Sequence, residues 1–277
     1  MPNQEFVIPG AADNPIALDL TTLNTEAKPL VIFVHGFKGF KDWGTHHLVA
    51  SHFAQNGFDF LKFNFSHNGI SVGSNDEFDD LEGFAQNTFS KELEDLNAVI
   101  TFALSGKKFK RPTHLYLIGH SLGGGISIIK ASEHQEIAKL ATWASISSFR
   151  NLWSPQQEVS WLKDGVLHFQ NSRTNQQMPI YSSLLDDLNQ NSERLDILGS
   201  ASKVSIPWLI VHGDNDTSVS SENALGLHKQ SPGSELSIIP TADHVFGASH
   251  LWPGNYLPEA LNKACTATIA FFNQTLD

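Results

Sequence analysis

His114-Leu115-Tyr116-Leu117-Ile118-Gly119-His120-Ser121-Leu122-Gly123-Gly124-Gly125-Ile126-Ser127-Ile128-Ile129 reads as a strand that runs without a linker into a helix. A chain turning that sharply forces the residue at the corner, Ser121, into a strained backbone conformation. Gly119 and Gly123, two before and two after it, keep neighbouring backbone from clashing. The hydroxyl then stands clear above the sheet, and the first amides of the helix point at any negative oxygen formed beside it.

Working outward, short β-branched or aromatic runs occur at residues 6–8, 16–20, 30–34, 58–63, 115–118, 140–144, 208–211 and 236–239. Between several of them lie stretches with helical spacing, at 45–55, 88–104, 122–132 and 222–229, and a last one at 257–272 closes the chain. Runs such as Leu30-Val31-Ile32-Phe33-Val34 are continuously apolar, as a strand buried on both faces of a parallel sheet must be. Strands alternating with helices predict an α/β protein with a mostly parallel, doubly covered sheet. In 88–104, Phe89, Leu93, Leu96, Val99, Ile100 and Ala103 form the apolar face, and Glu92, Glu94 and Asp95 are expected on the other.

Residues 147–200 break the alternation. They show no strong strand signal and are rich in Gln, Asn, Ser and aromatics, among them Phe149, Trp153, Trp161, Phe169 and Tyr181. A structureless loop of that length is unusual inside a compact domain, so a small helical insertion serving as a lid or cap is expected there. The core is then 1–146 with 201–277. The insertion's aromatics are expected to line a substrate pocket or to form its own small core, and Arg150 and Arg173 are cations that a carboxylate could meet.

The whole chain has 277 residues, 40% apolar and 17% charged, which is globular composition and excludes a disordered or fibrous chain. A formal net charge of −11 repels phosphate backbones and anionic headgroups, so neither nucleic acid nor a membrane surface is an expected partner. The single cysteine, Cys265, excludes an intramolecular disulfide and a cysteine-rich metal site. The first ten residues have no basic leader followed by an apolar core, and the longest apolar runs fall far short of the ~20 residues that span a bilayer, so a cytoplasmic protein is expected. No residues have metal-ligand spacing and no nucleotide loop appears, so no cofactor or metal is expected. The acidic run Asn75-Asp76-Glu77-Phe78-Asp79-Asp80-Leu81-Glu82 lacks calcium-loop spacing and is expected to be solvated.

A serine hydroxyl needs a base to become a nucleophile, and 13 histidines compete for the part. Two later strand–loop junctions narrow the choice. Residues 206–211 run into His212-Gly213-Asp214-Asn215-Asp216-Thr217-Ser218-Val219, and Leu236-Ser237-Ile238-Ile239-Pro240 runs into Thr241-Ala242-Asp243-His244-Val245-Phe246-Gly247. Together with Gly119-His120-Ser121-Leu122-Gly123 these motifs resemble those of the α/β-hydrolase family over nearly the whole chain. The resemblance implies an α/β-hydrolase sheet and a triad in the chain order Ser121, Asp216, His244. Asp214 is the rival acid and His250 the rival base. His35, His120 and His212 stand at motif positions where a structural or supporting part is usual.

Residues 30–34 end in His35-Gly36-Phe37-Lys38-Gly39, which resembles the family loop that supplies one oxyanion donor. The resemblance implies the backbone N–H groups of Phe37 and Leu122 as the pair. Lys38, Lys41 and His46 near this loop are expected to be a solvated helix approach, with attraction of an anionic substrate as the alternative. Ser66-His67-Asn68-Gly69 matches a further family loop poorly and is given no chemistry. The expectation is a serine hydrolase acting on small carboxylic esters, short- to medium-chain or aryl, as a monomer or homodimer. An amide, peptide or thioester hydrolase and a non-catalytic binding module of the same fold are the alternatives.

Overall fold

In the computed structural model, which describes residues 3–74, 77–171 and 175–275, the strands in chain order are β1 (Asn3–Pro9), β2 (Pro15–Thr21), β3 (Leu30–Val34), β4 (Asp59–Phe63), β5 (Leu115–His120), β6 (Ile137–Trp143), β7 (Val166–Gln170), β8 (Gln177–Tyr181), β9 (Trp208–Gly213) and β10 (Glu235–Ile239). Eight of them form one sheet in the order β1-β2-β4-β3-β5-β6-β9-β10. From β4 to β10 every neighbouring pair is parallel, and β1–β2 and β2–β4 are antiparallel. The helices are α1 (His46–Gln55), α2 (Leu81–Ala85), α3 (Phe89–Leu104), α4 (Leu122–Glu133), α5 (Pro155–Asp164), α6 (Ser183–Gln190), α7 (Ile197–Ala201), α8 (Glu222–Gln230) and α9 (Glu259–Phe272). Among the described residues no helix is long and apolar enough to cross a membrane.

The continuous apolar runs have the predicted consequence. Ile32, Val34 and Leu117 point into a core shared with α3 and α4, whereas Val31, Phe33, Tyr116 and Ile118 point into a second core with α1 and α9. Strand period two thus divides each central strand between two helical layers, and both layers must be apolar. A buried lysine helps to join one layer to the sheet. Lys139 on β6 donates to the carbonyls of Phe271 (2.9 Å), Phe272 (3.2 Å) and Gln274 (2.6 Å), satisfying orphan acceptors at the end of α9.

Three sequence expectations need correction. The segment between β6 and β9 is not purely helical, because β7 and β8 pair as an antiparallel hairpin set apart from the main sheet. Pro179 stands opposite His168 there, as a two-stranded ribbon with no interior strand permits. Second, Glu92 and Asp95 do not take the solvent face of α3, since both are buried and only Glu94 is exposed. Asp95 accepts from the backbone N–H groups of Ala11 (2.7 Å) and Ser66 (2.8 Å), tying two loops to the helix. Burial pushes its carboxyl up to about 6 despite those bonds, and it pushes Glu92 up to about 8. Third, the acidic run is only partly solvated: Phe78 is buried and Asp80 caps α2 by accepting from Gly83 N–H at 2.8 Å. Asn75, Asp76 and Arg173 lie outside the described residues.

The aromatics of 147–200 pack among themselves and against α3. Phe149 stacks on Phe89 of α3 with ring centroids 4.0 Å apart, Trp153 meets Trp161 edge-on at 5.3 Å, and Trp161 is fully buried. Phe169 of β7 is the exception, meeting Phe37 edge-on at 4.9 Å. Tyr181 instead donates its hydroxyl to Glu82, and Arg150 is paired with Glu158.

Candidate active site

Ser121 stands between β5 and α4 with φ 56° and ψ −118°, in the left-handed half of the map where side chains are strained. The strain is held by tight packing. A Cβ on Gly123 would run into the carbonyls of Val34 and His35, and one on Gly119 would strike the Gly123 carbonyl. Gly36, at the end of β3, is the third close approach, since a Cβ there would lie 3.0 Å from that of Ser121. The Ser121 N–H donates to the Trp143 carbonyl of β6 at 2.9 Å, which fixes the corner from below.

The structure brings Ser121, His244 and Asp216 together from three strand ends. His244 Nε2 lies 3.0 Å from Ser121 Oγ and its Nδ1 lies 2.7 Å from Asp216 Oδ2. A carboxylate oxygen can only accept, so Nδ1 carries the proton and Nε2 accepts from the hydroxyl. Asp216 Oδ1 accepts from the N–H groups of Ser218 and Val219, both at 2.8 Å. His212 Nε2 lies 3.2 Å from Asp216 Oδ2 and donates to the Val219 carbonyl at 2.8 Å. Burial opposes the Asp216 charge, but the bonds from His212, His244 and Val219 overcome it and hold the carboxyl well below the usual carboxylate range.

The rivals are placed elsewhere. Asp214 accepts from Thr241 N–H in an exposed turn. His250 accepts from Gly44 N–H at 2.9 Å and packs against Phe40 and Trp43. His35 and His120 are neutral props. His35 donates to the Gly36 carbonyl and accepts from Phe65 N–H, and burial holds it at about 4. His120 donates from Nε2 to the His244 carbonyl at 2.9 Å, and burial holds it at about 3.

Leu122 follows Ser121 directly, and Phe37 lines the same two hollows as the serine. Leu122 opens α4, so its N–H has no intrahelical acceptor. Among the described residues the Phe37 N–H likewise has no hydrogen-bond partner. Phe37 and Lys38 form the corner of a turn closed by Gly39 N–H on the Gly36 carbonyl at 2.9 Å, and Lys38 takes φ 55° there.

The expected solvated approach beside this loop is a packed layer, which corrects the sequence reading. Lys41 and Lys62 are bound to Asp19 and Asp42 in a partly buried four-charge network. His46 donates to the Phe40 carbonyl, lies 4.6 Å centroid to centroid from Phe33, and is pushed down to about 3 by burial and by its neighbours His120, His35 and Lys62. Sequence reasoning missed His46 because its burial comes from strands and loops distant in the chain.

Two hollows meet at Ser121. An inner cavity of ≈ 160 Å³ runs between Phe33, Trp43, Val49, Trp143, Phe246 and Leu261. An outer cleft of ≈ 580 Å³ opens between the 36–43 loop, Asn151 and Asn171 of the segment after β6, and Ser218 and Ser249. Among the described residues no group of three or more His, Cys, Asp or Glu is placed to hold a metal ion.

The profile of the alpha/beta hydrolase fold matches residues 29–157. The chain is similar in structure to Est1E from Butyrivibrio proteoclasticus with ferulic acid bound (TM-score 0.72, 21% identity, 96% of this chain and 97% of the other). It is also similar to the esterase domain of a Rhodothermus marinus protein (0.65, 19%, 98% and 99%) and to the α/β hydrolase GrgF from Penicillium sp. sh18 (0.73, 16%, 98% and 98%). A search of curated protein sequences finds no match.

Proposed function

We propose that this chain, which has the α/β-hydrolase fold, is a serine hydrolase cleaving carboxylic esters through an acyl-enzyme. The observation that carries the reading is the unbroken chain Ser121 Oγ, His244 Nε2, His244 Nδ1, Asp216 Oδ2, with contacts of 3.0 and 2.7 Å, at the mouth of a cavity.

In this reading Ser121 Oγ attacks the ester carbonyl as its proton passes to His244 Nε2. The carbonyl oxygen becomes an oxyanion between the N–H groups of Phe37 and Leu122, where each preplaced donor is worth about 3 kcal/mol. Collapse breaks the bond to the alcohol oxygen, which takes the proton from His244. Water then repeats the sequence against the acyl-serine and releases the acid. Asp216 stays charged throughout, holding the Nδ1–H tautomer and stabilising the imidazolium.

The inner cavity supports short- to medium-chain or aryl acyl groups. Its ≈ 160 Å³ is close to the ~150 Å³ of an engineered apolar cavity that takes up benzene, so one ring or a chain of a few carbons fills it. The 147–200 segment roofs the outer cleft and serves as the lid. Purified protein assayed on chromogenic acyl esters of increasing length, beside Ser121→Ala, tests the reading. Turnover of acetyl to hexanoyl and benzoyl esters, absent from the variant, is expected; no turnover of any ester by folded wild type contradicts it.

A further inference from the structure

Both hollows at Ser121 are poor in charge. Among the described residues lining them there is no Asp or Glu, and Lys38 is the one lysine or arginine. The nearby lysines are already neutralised, Lys41 and Lys62 by Asp19 and Asp42. Lys38 is half-buried, and no carboxylate among the described residues pairs with it. Its Nζ donates to the Gln170 carbonyl of β7 at 3.1 Å and rests 5.8 Å from the Phe37 ring centroid. An ammonium has three N–H donors, and that carbonyl takes one.

Lys38 lines both hollows, and the carbonyl that its ammonium holds gives the ammonium a side. Gln170 belongs to the hairpin over the outer cleft, whose lining includes the adjacent Asn171, and no hairpin residue lines the inner cavity. The two sides of a scissile ester differ in what they need. The acyl group stays covalently held during turnover and suits the smaller, more apolar cavity. The alcohol must receive a proton from His244, depart, and be replaced by water, which suits the larger, more polar cleft. Lys38 is also forced into a left-handed conformation at a turn corner where glycine is free of strain. Side chains held in such conformations cluster at ligand clamps.

We propose that Lys38 binds a carboxylate on the leaving-group side of the substrate, so that the preferred esters are those whose alcohol or phenol portion is itself an anion. This rests on the serine-hydrolase reading and narrows its substrate class to acyl esters of hydroxy acids. Charge-assisted hydrogen bonds give the contact its strength, and the lack of acidic lining residues removes the repulsion that an overall charge of −11 would suggest.

The test compares 3-(butanoyloxy)benzoate with its methyl ester, two substrates with the same acyl group and ring that differ in one negative charge. The readout is the ratio of their kcat/KM values in wild type, Lys38→Met, Lys38→Arg and Lys38→Glu. Wild type is expected to favour the anion by ~10-fold or more, with Lys38→Met lowering the ratio ~10- to 100-fold, Lys38→Arg keeping it and Lys38→Glu inverting it. A wild-type ratio at or below one, or a ratio unchanged in Lys38→Met, overturns the proposal while turnover of the methyl ester leaves the hydrolase reading intact. If neither ester is cleaved and a fluorophosphonate does not label Ser121, both fall together.

Discussion

The imidazole of His120 donates its Nε2–H to the backbone carbonyl of His244 at 2.9 Å, so the residue before the candidate nucleophile holds the loop that carries the candidate base. The rings lie 5.0 Å apart. Burial keeps His120 neutral at about 3, so this donor persists across the working pH range. Replacing His120 by Leu frees the loop and is expected to lower kcat ~10-fold with KM little changed, because the loss falls on alignment at the reacting atoms. His120→Gln, which keeps an N–H at similar reach, should recover most of it. Steady-state kinetics on both variants checks this, and an equal loss in Gln and Leu counts against a hydrogen-bonding part.

Gly36→Ala tests the close approach of β3 to the serine. The new Cβ would stand 3.0 Å from Ser121 Cβ and 3.3 Å from the His120 carbonyl, tight enough to displace the corner but not to block folding. A displacement approaching 1 Å costs on the order of 10²-fold in kcat/KM. The expected outcome is that loss at a thermal midpoint within a few degrees of wild type.

Acid pH should switch activity off through a single proton. His35 is held at about 4, and His46 and His120 at about 3, by burial, so all three stay neutral where esterases are assayed. Asp216 stays charged because its hydrogen bonds outweigh its burial. None of these four groups then adds an ionisation to the acid limb. A plot of log kcat/KM against pH is expected to fall on the acid side with a slope of one. A slope of two means that a second group among these titrates.

Stability should carry the opposite signature at Glu92. Its carboxyl is raised from 4.5 to about 8 by burial, and Oε2 has no hydrogen-bond partner while Oε1 accepts from Asn87 at 2.8 Å. Below the unfolded value both states are protonated and the site costs nothing. As pH rises from 4.5 to about 8 the unfolded chain releases the proton and the folded chain keeps it, so stability falls through that window. Glu92→Gln removes the ionisation. Its thermal midpoint relative to wild type should therefore rise steadily between pH 5 and pH 8.5, by several degrees, and a pH-independent difference contradicts the raised carboxyl.

Much of this architecture can be read from the chain because the central strands are buried on both faces and so are apolar at every position, as in 30–34. The corner residues were legible for a related reason: Gly119 and Gly123 are needed by backbone contacts two residues from Ser121, so the requirement is written locally. The hairpin was not. Val166-Leu167-His168-Phe169-Gln170 and Gln177-Met178-Pro179-Ile180-Tyr181 mix polar and apolar residues and contain a proline, which a two-stranded ribbon tolerates and a central strand does not. Glu92 and Asp95 read as solvent-facing because helical spacing records which residues are charged, and their burial comes from the loops at Ala11 and Ser66 and from Asn87. Lys38 and Lys41 look alike in sequence, and tertiary structure brings Asp19 to Lys41 and no carboxylate among the described residues to Lys38.

The central claim is that Ser121 is a nucleophile activated by His244, and covalent labelling tests it without knowledge of the substrate. Intact-protein mass spectrometry after treatment with a fluorophosphonate is expected to show one adduct per chain, mapped to Ser121. The adduct should be absent in Ser121→Ala and form at least ~10³-fold more slowly in His244→Ala. No adduct on folded wild-type protein, or the same adduct on Ser121→Ala, would contradict the account.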